Sequence, residues 1–190
     1  MIEFIEATTI EDAWRQAIYR LFEVGHIYKI DKGSFEGHER LEFYPLVVID
    51  IKVPFIRPLE VTIPEGKNIP APSSTKYTFE YLAKLTDPTS KHEHEDYVYA
   101  DYVWPQIEEI TKKLCIGEGG TNQATITVGD SESVLLDDPP CLKVIDFRLT
   151  PTKHLDMIVY FRSWDLWAGF PNNLAALELL REYVWEDVLL

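Results

Sequence analysis

The sequence predicts an α+β fold in a single domain over residues 1–190, a mixed β-sheet with packed helices. Three observations carry this. Apolar residues recur every three or four positions in several stretches, alternate strictly in two others, and are interrupted by a proline-rich run that suits neither pattern. With 46% hydrophobic side chains in 190 residues, the chain can bury a core without staples and is too apolar to remain disordered.

In chain order, Thr8 followed by Glu11 forms a capping-box pattern. Trp14, Ala17, Ile18, Leu21 and Phe22 then share a helical face, and Gly25 is placed to end the helix. Residues 41–53 are β-rich, and 54–74 read as an extended proline-rich loop. Residues 77–85 predict a helix, 86–96 a polar loop, and 102–114 a second helix beginning near Pro105 with Lys112 and Lys113 at its end. Residues 122–128 are strand-like. Residues 141–149 and 155–163 alternate on either side of a turn centred near Thr152, and a final helix follows with Asn172 or Asn173 as its N-cap.

The formal charge of −14 argues against a nucleic-acid-binding surface, which needs clustered Lys and Arg, but leaves room for a small anionic ligand held by a few local arginines. Two distant cysteines, Cys115 and Cys141, make no disulfide framework and suit a reducing compartment. The N-terminus carries no basic and apolar leader pattern, and no apolar run is long enough to span a bilayer. These features predict a cytoplasmic protein with no membrane or nucleic-acid partner.

Pairing 141–149 antiparallel with 155–163 sets Cys141 opposite Ser163, with Arg162 and Asp165 within one or two residues of the thiol. An arginine beside a thiol favours the thiolate and offers a fork to phosphate or carboxylate. Gly169 permits close backbone approach, and Asn172 and Asn173 carry amides that can read a base edge. On spacing alone, a packed and unreactive Cys141 is the plainer reading, and Arg162 reads as an ordinary surface or ion-pair residue.

A wider pattern changes that balance. "PPC" ahead of a strand, then "FRSWD", then G-x-P-x-N opening a helix, resembles the thymidylate synthase family, in its divergent archaeal-type branch. The matching residues are Cys141, Arg162, Ser163, Asp165, Gly169, Pro171 and Asn173, with Asn172 where phenylalanine is usual. "TTIEDAW", "DKGSFEG" and "YVYADYVWPQIEEI" are similar to the corresponding upstream segments. The resemblance implies a homodimer that converts dUMP to dTMP. In it the Cys141 thiolate adds to C6, and 5,10-methylene-tetrahydrofolate or methylene-tetrahydromethanopterin supplies the one-carbon unit and hydride. It further implies that Arg162 and Ser163 hold the 5′-phosphate, Asn173 reads the O4/N3 edge of uracil, and Asp165 sits by the pterin or an ordered water network. Glu80 would manage protons through water, Tyr99 would stand near the cysteine, and Lys32 would occupy the region of a mobile phosphate-binding residue.

The sequence departs from the family at Leu142 (usually His), Phe161 (usually Gln), and Asn122 and Gln123 (where two arginines are usual). It also reads as lacking the usual C-terminal portion, with its His and Tyr for the deoxyribose. Two alternatives follow: a non-catalytic pyrimidine-nucleotide-binding homologue, or a nucleotide hydroxymethylase of the same fold acting on cytosine. Asn173 in place of an acidic residue favours uracil. "KHEHED" (His92, Glu93, His94, Glu95, Asp96) implies no third metal ligand and reads as a solvated loop, so no metal is expected. Tyr97, Tyr99, Tyr102 and Trp104 form an aromatic cluster open to core, interface or heterocycle packing.

Overall fold

The computed structural model describes residues 1–31, 36–93, 95–116 and 120–189. The fold is α+β. Parallel and antiparallel pairing both occur, but in separate small sheets. The chain divides into two compact units, Met1–Ser74 with Asp165–Ala175, and Thr75–Trp164 with Ala176–Leu190.

In the first unit, β1 (Glu3–Ala7) pairs parallel with β4 (Val47–Ile51), and α1 (Ile10–Val24) follows β1. The cap of α1 lies one residue later than the Thr8–Glu11 reading. The Thr9 hydroxyl accepts the Asp12 N–H at 3.1 Å, and Asp12 accepts the Thr8 N–H in return at 2.8 Å. Ile10, Ala13, Trp14 and Ala17 form its buried stripe. Gly25 ends the helix with φ −64°, not left-handed. A Cβ there would lie 2.4 Å from the Leu21 carbonyl oxygen and 2.7 Å from Leu41, so close approach is what demands glycine.

The run 41–53 is not one strand. Its first part belongs to β3 (Glu39–Glu42), antiparallel to β2 (His26–Lys29), and its second is β4. Pro45 lies between the two, where a ladder donor would be needed. The proline-rich segment that follows is pinned by side chains instead of a ladder. Ser73 Oγ accepts the Val61 N–H at 2.8 Å, and Asn172 Oδ1 accepts that of Ser74 at 3.1 Å. Asn172 Nδ2 donates to the carbonyls of Pro72 and Ala168. Asn172 is therefore a buried strut inside α4 (Gly169–Leu189), not its cap.

The residue that organises the start of α4 is Asp165. Its Oδ1 accepts the N–H of Trp167 at 3.2 Å, and its Oδ2 accepts those of Ala168 and Gly169 at 3.1 and 2.8 Å. Three otherwise orphaned donors are satisfied by one carboxylate. Asp165→Ala is expected to cost about 1–2 kcal/mol, read from the shift in a urea unfolding curve.

The second unit holds α2 (Thr75–Thr86), α3 (Ala100–Ile116), the antiparallel sheet of β5 (Thr125–Thr127), β6 (Leu142–Leu149) and β7 (Leu155–Phe161), and the remainder of α4. Helix α3 starts ahead of the expected Pro105, which sits inside it. Early in a helix a proline forfeits only one hydrogen bond, and the buried stripe of Val103, Ile107, Ile110 and Leu114 supports the whole length. That stripe packs with Leu85, Ile126, Leu142, Ile145, Phe147, Leu177 and Leu180 into one core. Each large side chain so buried contributes roughly 1.5–3 kcal/mol.

Candidate functional site

The hairpin of β6 and β7 positions Cys141. From Leu149 opposite Leu155 to Val144 opposite Tyr160 the strands pair one to one, in the register the turn near Thr152 predicts. Between Val144 and Leu142 the register shifts, so Leu142 pairs with Phe161. The partner of Cys141 consequently moves from Ser163 to Arg162, whose N–H donates to the Cys141 carbonyl at 2.8 Å.

The Arg162 side chain then turns back along the segment leading to the cysteine. Nε donates to the Pro140 carbonyl at 3.2 Å, and Nη2 donates to the Pro139 carbonyl and to Asp138 Oδ1. Two consecutive prolines present acceptors and no donors, so a guanidinium with several fixed N–H groups suits this turn. Among the described residues Nη1 has no hydrogen-bond partner, which leaves one edge of the fork for an incoming anion. Asp138 is 89% exposed in its side chain and easily displaced by one.

Cys141 is free and half-buried. Burial pushes its thiol up. Arg162 pulls it down, Asp138 pushes it up again and Lys143 pulls it down, with a net shift above the ordinary thiol value. The arginine does not outweigh desolvation, so the resting group at neutral pH is the thiol. Alkylation of Cys141 by iodoacetamide should therefore keep accelerating above about pH 8.5, where an ordinary thiol levels off. The check is a pH–rate profile of the modified peptide by mass spectrometry.

Tyr99 does stand beside the cysteine. Burial raises the proton affinity of its hydroxyl. The nearby Leu142 and Cys141 backbone and the Tyr97 hydroxyl act the other way, and Cys141 itself raises it further. Its ring meets those of Tyr81 and Tyr97 edge-on, at centroid distances of 5.9 and 5.7 Å. The aromatic cluster thus lies at the cysteine end of the sheet, and Trp104 packs elsewhere, against Tyr183.

The other expected residues fall in various places. Ser163 is exposed in the bend after β7. Glu80 faces solvent, its side chain 58% exposed and 3.7 Å from Lys76. Helix arithmetic explains this. Thr78 and Leu85 mark the buried face of α2, which Tyr81 and Leu82 share, whereas Glu80 lies about 200° around from Thr78. Gly169 opens α4 and Asn173 is buried in its first turns. Asp165, Gly169 and Asn173 belong to the first unit, and Cys141, Arg162, Ser163, Tyr99 and Glu80 to the second. Lys32 lies outside the described residues, as does His94. The remaining part of "KHEHED" is a structural loop: Glu95 accepts from Lys84 Nζ at 2.6 Å and from the His92 amide at 2.8 Å. No cluster of three or more His, Cys, Asp or Glu able to hold a metal occurs among the described residues, and among them no helix is long and apolar enough to cross a membrane.

Two neighbours of the thiol, Asp138 and Tyr81, escape the sequence reading. Tyr81 was detectable from the helical period of α2. Asp138 was not, because its role depends on the path of Arg162.

No family model matches the chain. Curated relatives do, along nearly its whole length, each under the name "Putative thymidylate synthase". The protein of Methanococcoides burtonii is 27% identical over 193 residues, covering 97% of this chain and 81% of the relative. That of Methanosarcina mazei is 25% identical, with the same coverage. That of Methanopyrus kandleri is 23% identical, over 96% of this chain and 83% of the relative.

Proposed function

Taking the chain as a divergent member of the thymidylate synthase-like family, we propose that it converts dUMP to dTMP through a covalent adduct at Cys141. The observation that carries this reading is the clamp at the end of the hairpin. One arginine fixes the backbone of the Pro-Pro-Cys turn, lowers the proton affinity of the thiol, and keeps the Nη1 edge of its guanidinium for a phosphate.

In this proposal Arg162 and the exposed Ser163 hydroxyl bind the 5′-phosphate, and the Cys141 thiolate attacks C6 of the uracil ring, which makes C5 nucleophilic. Asn173 reads the O4/N3 edge of the base, and Gly169 allows the backbone to approach the ligand. Tyr99 is the hydroxyl near the reacting sulfur. Glu80, on its exposed face, serves as a carrier of protons through water. Lys32 is retained as a second phosphate cation on the resemblance alone, and a homodimer is part of the same proposal.

A folate- or methanopterin-type methylene-tetrahydropterin supplies the one-carbon unit and the hydride when bound. Asp165 fits such a group in its donor chemistry: Oδ1 carries one N–H against two on Oδ2, and so keeps acceptor capacity for a ring N–H.

The raised thiol favours a second reading, a non-catalytic nucleotide-binding homologue. Release of tritium from [5-³H]dUMP, with calorimetric binding of dUMP and dCMP, separates the two. Pterin-dependent release is expected. Binding of dUMP without release on either pterin supports the second reading, and preference for dCMP supports hydroxymethylation.

A further inference from the structure

We propose that Asp138 is an autoinhibitory contact of the anion clamp: its carboxylate holds the part of the Arg162 fork that a phosphate needs for two-pronged binding, and yields it when a phosphate monoester arrives. This deepens the reading of Arg162 as a phosphate ligand and rests on it.

A guanidinium is planar and offers two-pronged contacts along fixed edges, one through Nε and its neighbouring Nη, another through the two Nη atoms. In Arg162 the first edge is spent on the backbone. Nε donates to the Pro140 carbonyl at 3.2 Å, and Nη2 donates to the Pro139 carbonyl. The second N–H of Nη2 donates to Asp138 Oδ1 at 3.2 Å, while Nη1 has no hydrogen-bond partner among the described residues. The second edge is therefore half open. A phosphate using Nη1 alone makes one bond and faces a carboxylate. A phosphate using both Nη atoms must first take the Nη2 N–H from Asp138.

Asp138 is suited to yield. Its side chain is 89% exposed, against 35% for Arg162, so a released carboxylate returns to water at little cost. The bond it gives up is long for a charge-assisted contact, which usually measures about 2.7–2.9 Å. Nor does the guanidinium need it for orientation, since the two proline carbonyls already fix the side chain. A phosphate monoester carries more charge and more acceptor oxygens than one carboxylate, so it wins the edge. The same carboxylate raises the proton affinity of the Cys141 thiol, so one side chain restrains both clamp and nucleophile in the resting chain.

The test is calorimetric titration of wild type, Asp138→Ala and Asp138→Asn with dUMP, inorganic phosphate and the phosphate-free nucleoside deoxyuridine. Asp138→Ala should bind dUMP and phosphate roughly twofold to fivefold more tightly, the range that an exposed ion pair supplies, and deoxyuridine no differently. Asp138→Asn, which keeps an acceptor without the charge, should fall between Asp138→Ala and wild type. Unchanged or weaker binding of dUMP and phosphate in both variants overturns the proposal, and so does a gain that extends equally to deoxyuridine. Arg162→Ala, titrated alongside, separates this failure from that of the underlying reading. If it loses affinity for dUMP while the Asp138 variants match wild type, the autoinhibition alone is wrong. If it binds dUMP as wild type does, or wild type binds none, Arg162 is not the phosphate ligand and both fall.

Discussion

Arg181→Ala is expected to destabilise the protein by about 3–5 kcal/mol, the largest effect expected from breaking any one ion pair among the described residues. Glu178 is 2% exposed and sits on the stretch of α4 that packs into the core of the second unit. Its carboxylate is met by Arg181 in a two-pronged arrangement, Nη2 to Oε1 at 2.6 Å and Nε to Oε2 at 2.8 Å. The remaining Nη1 donates to the Leu155 carbonyl at 3.1 Å and so ties the helix to the first residue of β7. Removing the arginine strands a desolvated carboxylate and one carbonyl together. Replacing both members, as in Glu178→Leu with Arg181→Met, removes the charge with its partner and should cost far less. Denaturant unfolding followed by tryptophan fluorescence measures both. A loss below about 1 kcal/mol for Arg181→Ala would mean that the pair does not hold α4 in place.

Arg162→Ala is expected to damage the candidate site more than any change except loss of the thiol. Three acceptors, the Pro139 and Pro140 carbonyls and Asp138, lose their common donor. The thiol loses the largest influence that lowers it, while burial and Asp138 continue to raise it. Alkylation of Cys141 at pH 8 should therefore slow. Affinity for dUMP should fall roughly tenfold to a hundredfold, as expected when a charge-assisted hydrogen bond to phosphate is lost. Arg162→Lys should not restore either property, since a single ammonium cannot span the turn and the ligand at once. Calorimetry and the alkylation rate read the two effects separately. Faster alkylation in Arg162→Ala would show that the arginine shields the sulfur more than it activates it.

The hairpin that carries Cys141 and Arg162 was legible because side-chain alternation and one turn fix a register over many residues. The shift at its end was not, since a one-residue bulge leaves no signal in the apolar pattern, and it is what exchanges Ser163 for Arg162 opposite the cysteine. Helix ends were legible to within a few residues. The identity of the cap was not, because Asp165 and Thr9 act through hydrogen bonds whose neighbours in sequence, Asn172, Asn173 and Thr8, offer the same chemistry. Glu80 shows the opposite case. A motif drew attention to it, while the period of its own helix already directed it to solvent and Tyr81 to the interior.

Whether Cys141 is the nucleophile of a pyrimidine-nucleotide site is read out by intact-mass measurement after incubation with 5-fluoro-dUMP and a methylene-tetrahydropterin of each type. A covalent adduct is expected on the wild-type chain, mapped to the peptide containing Cys141 and absent from Cys141→Ala. Bound 5-fluoro-dUMP without any mass increase, or an adduct that persists in Cys141→Ala, would contradict it.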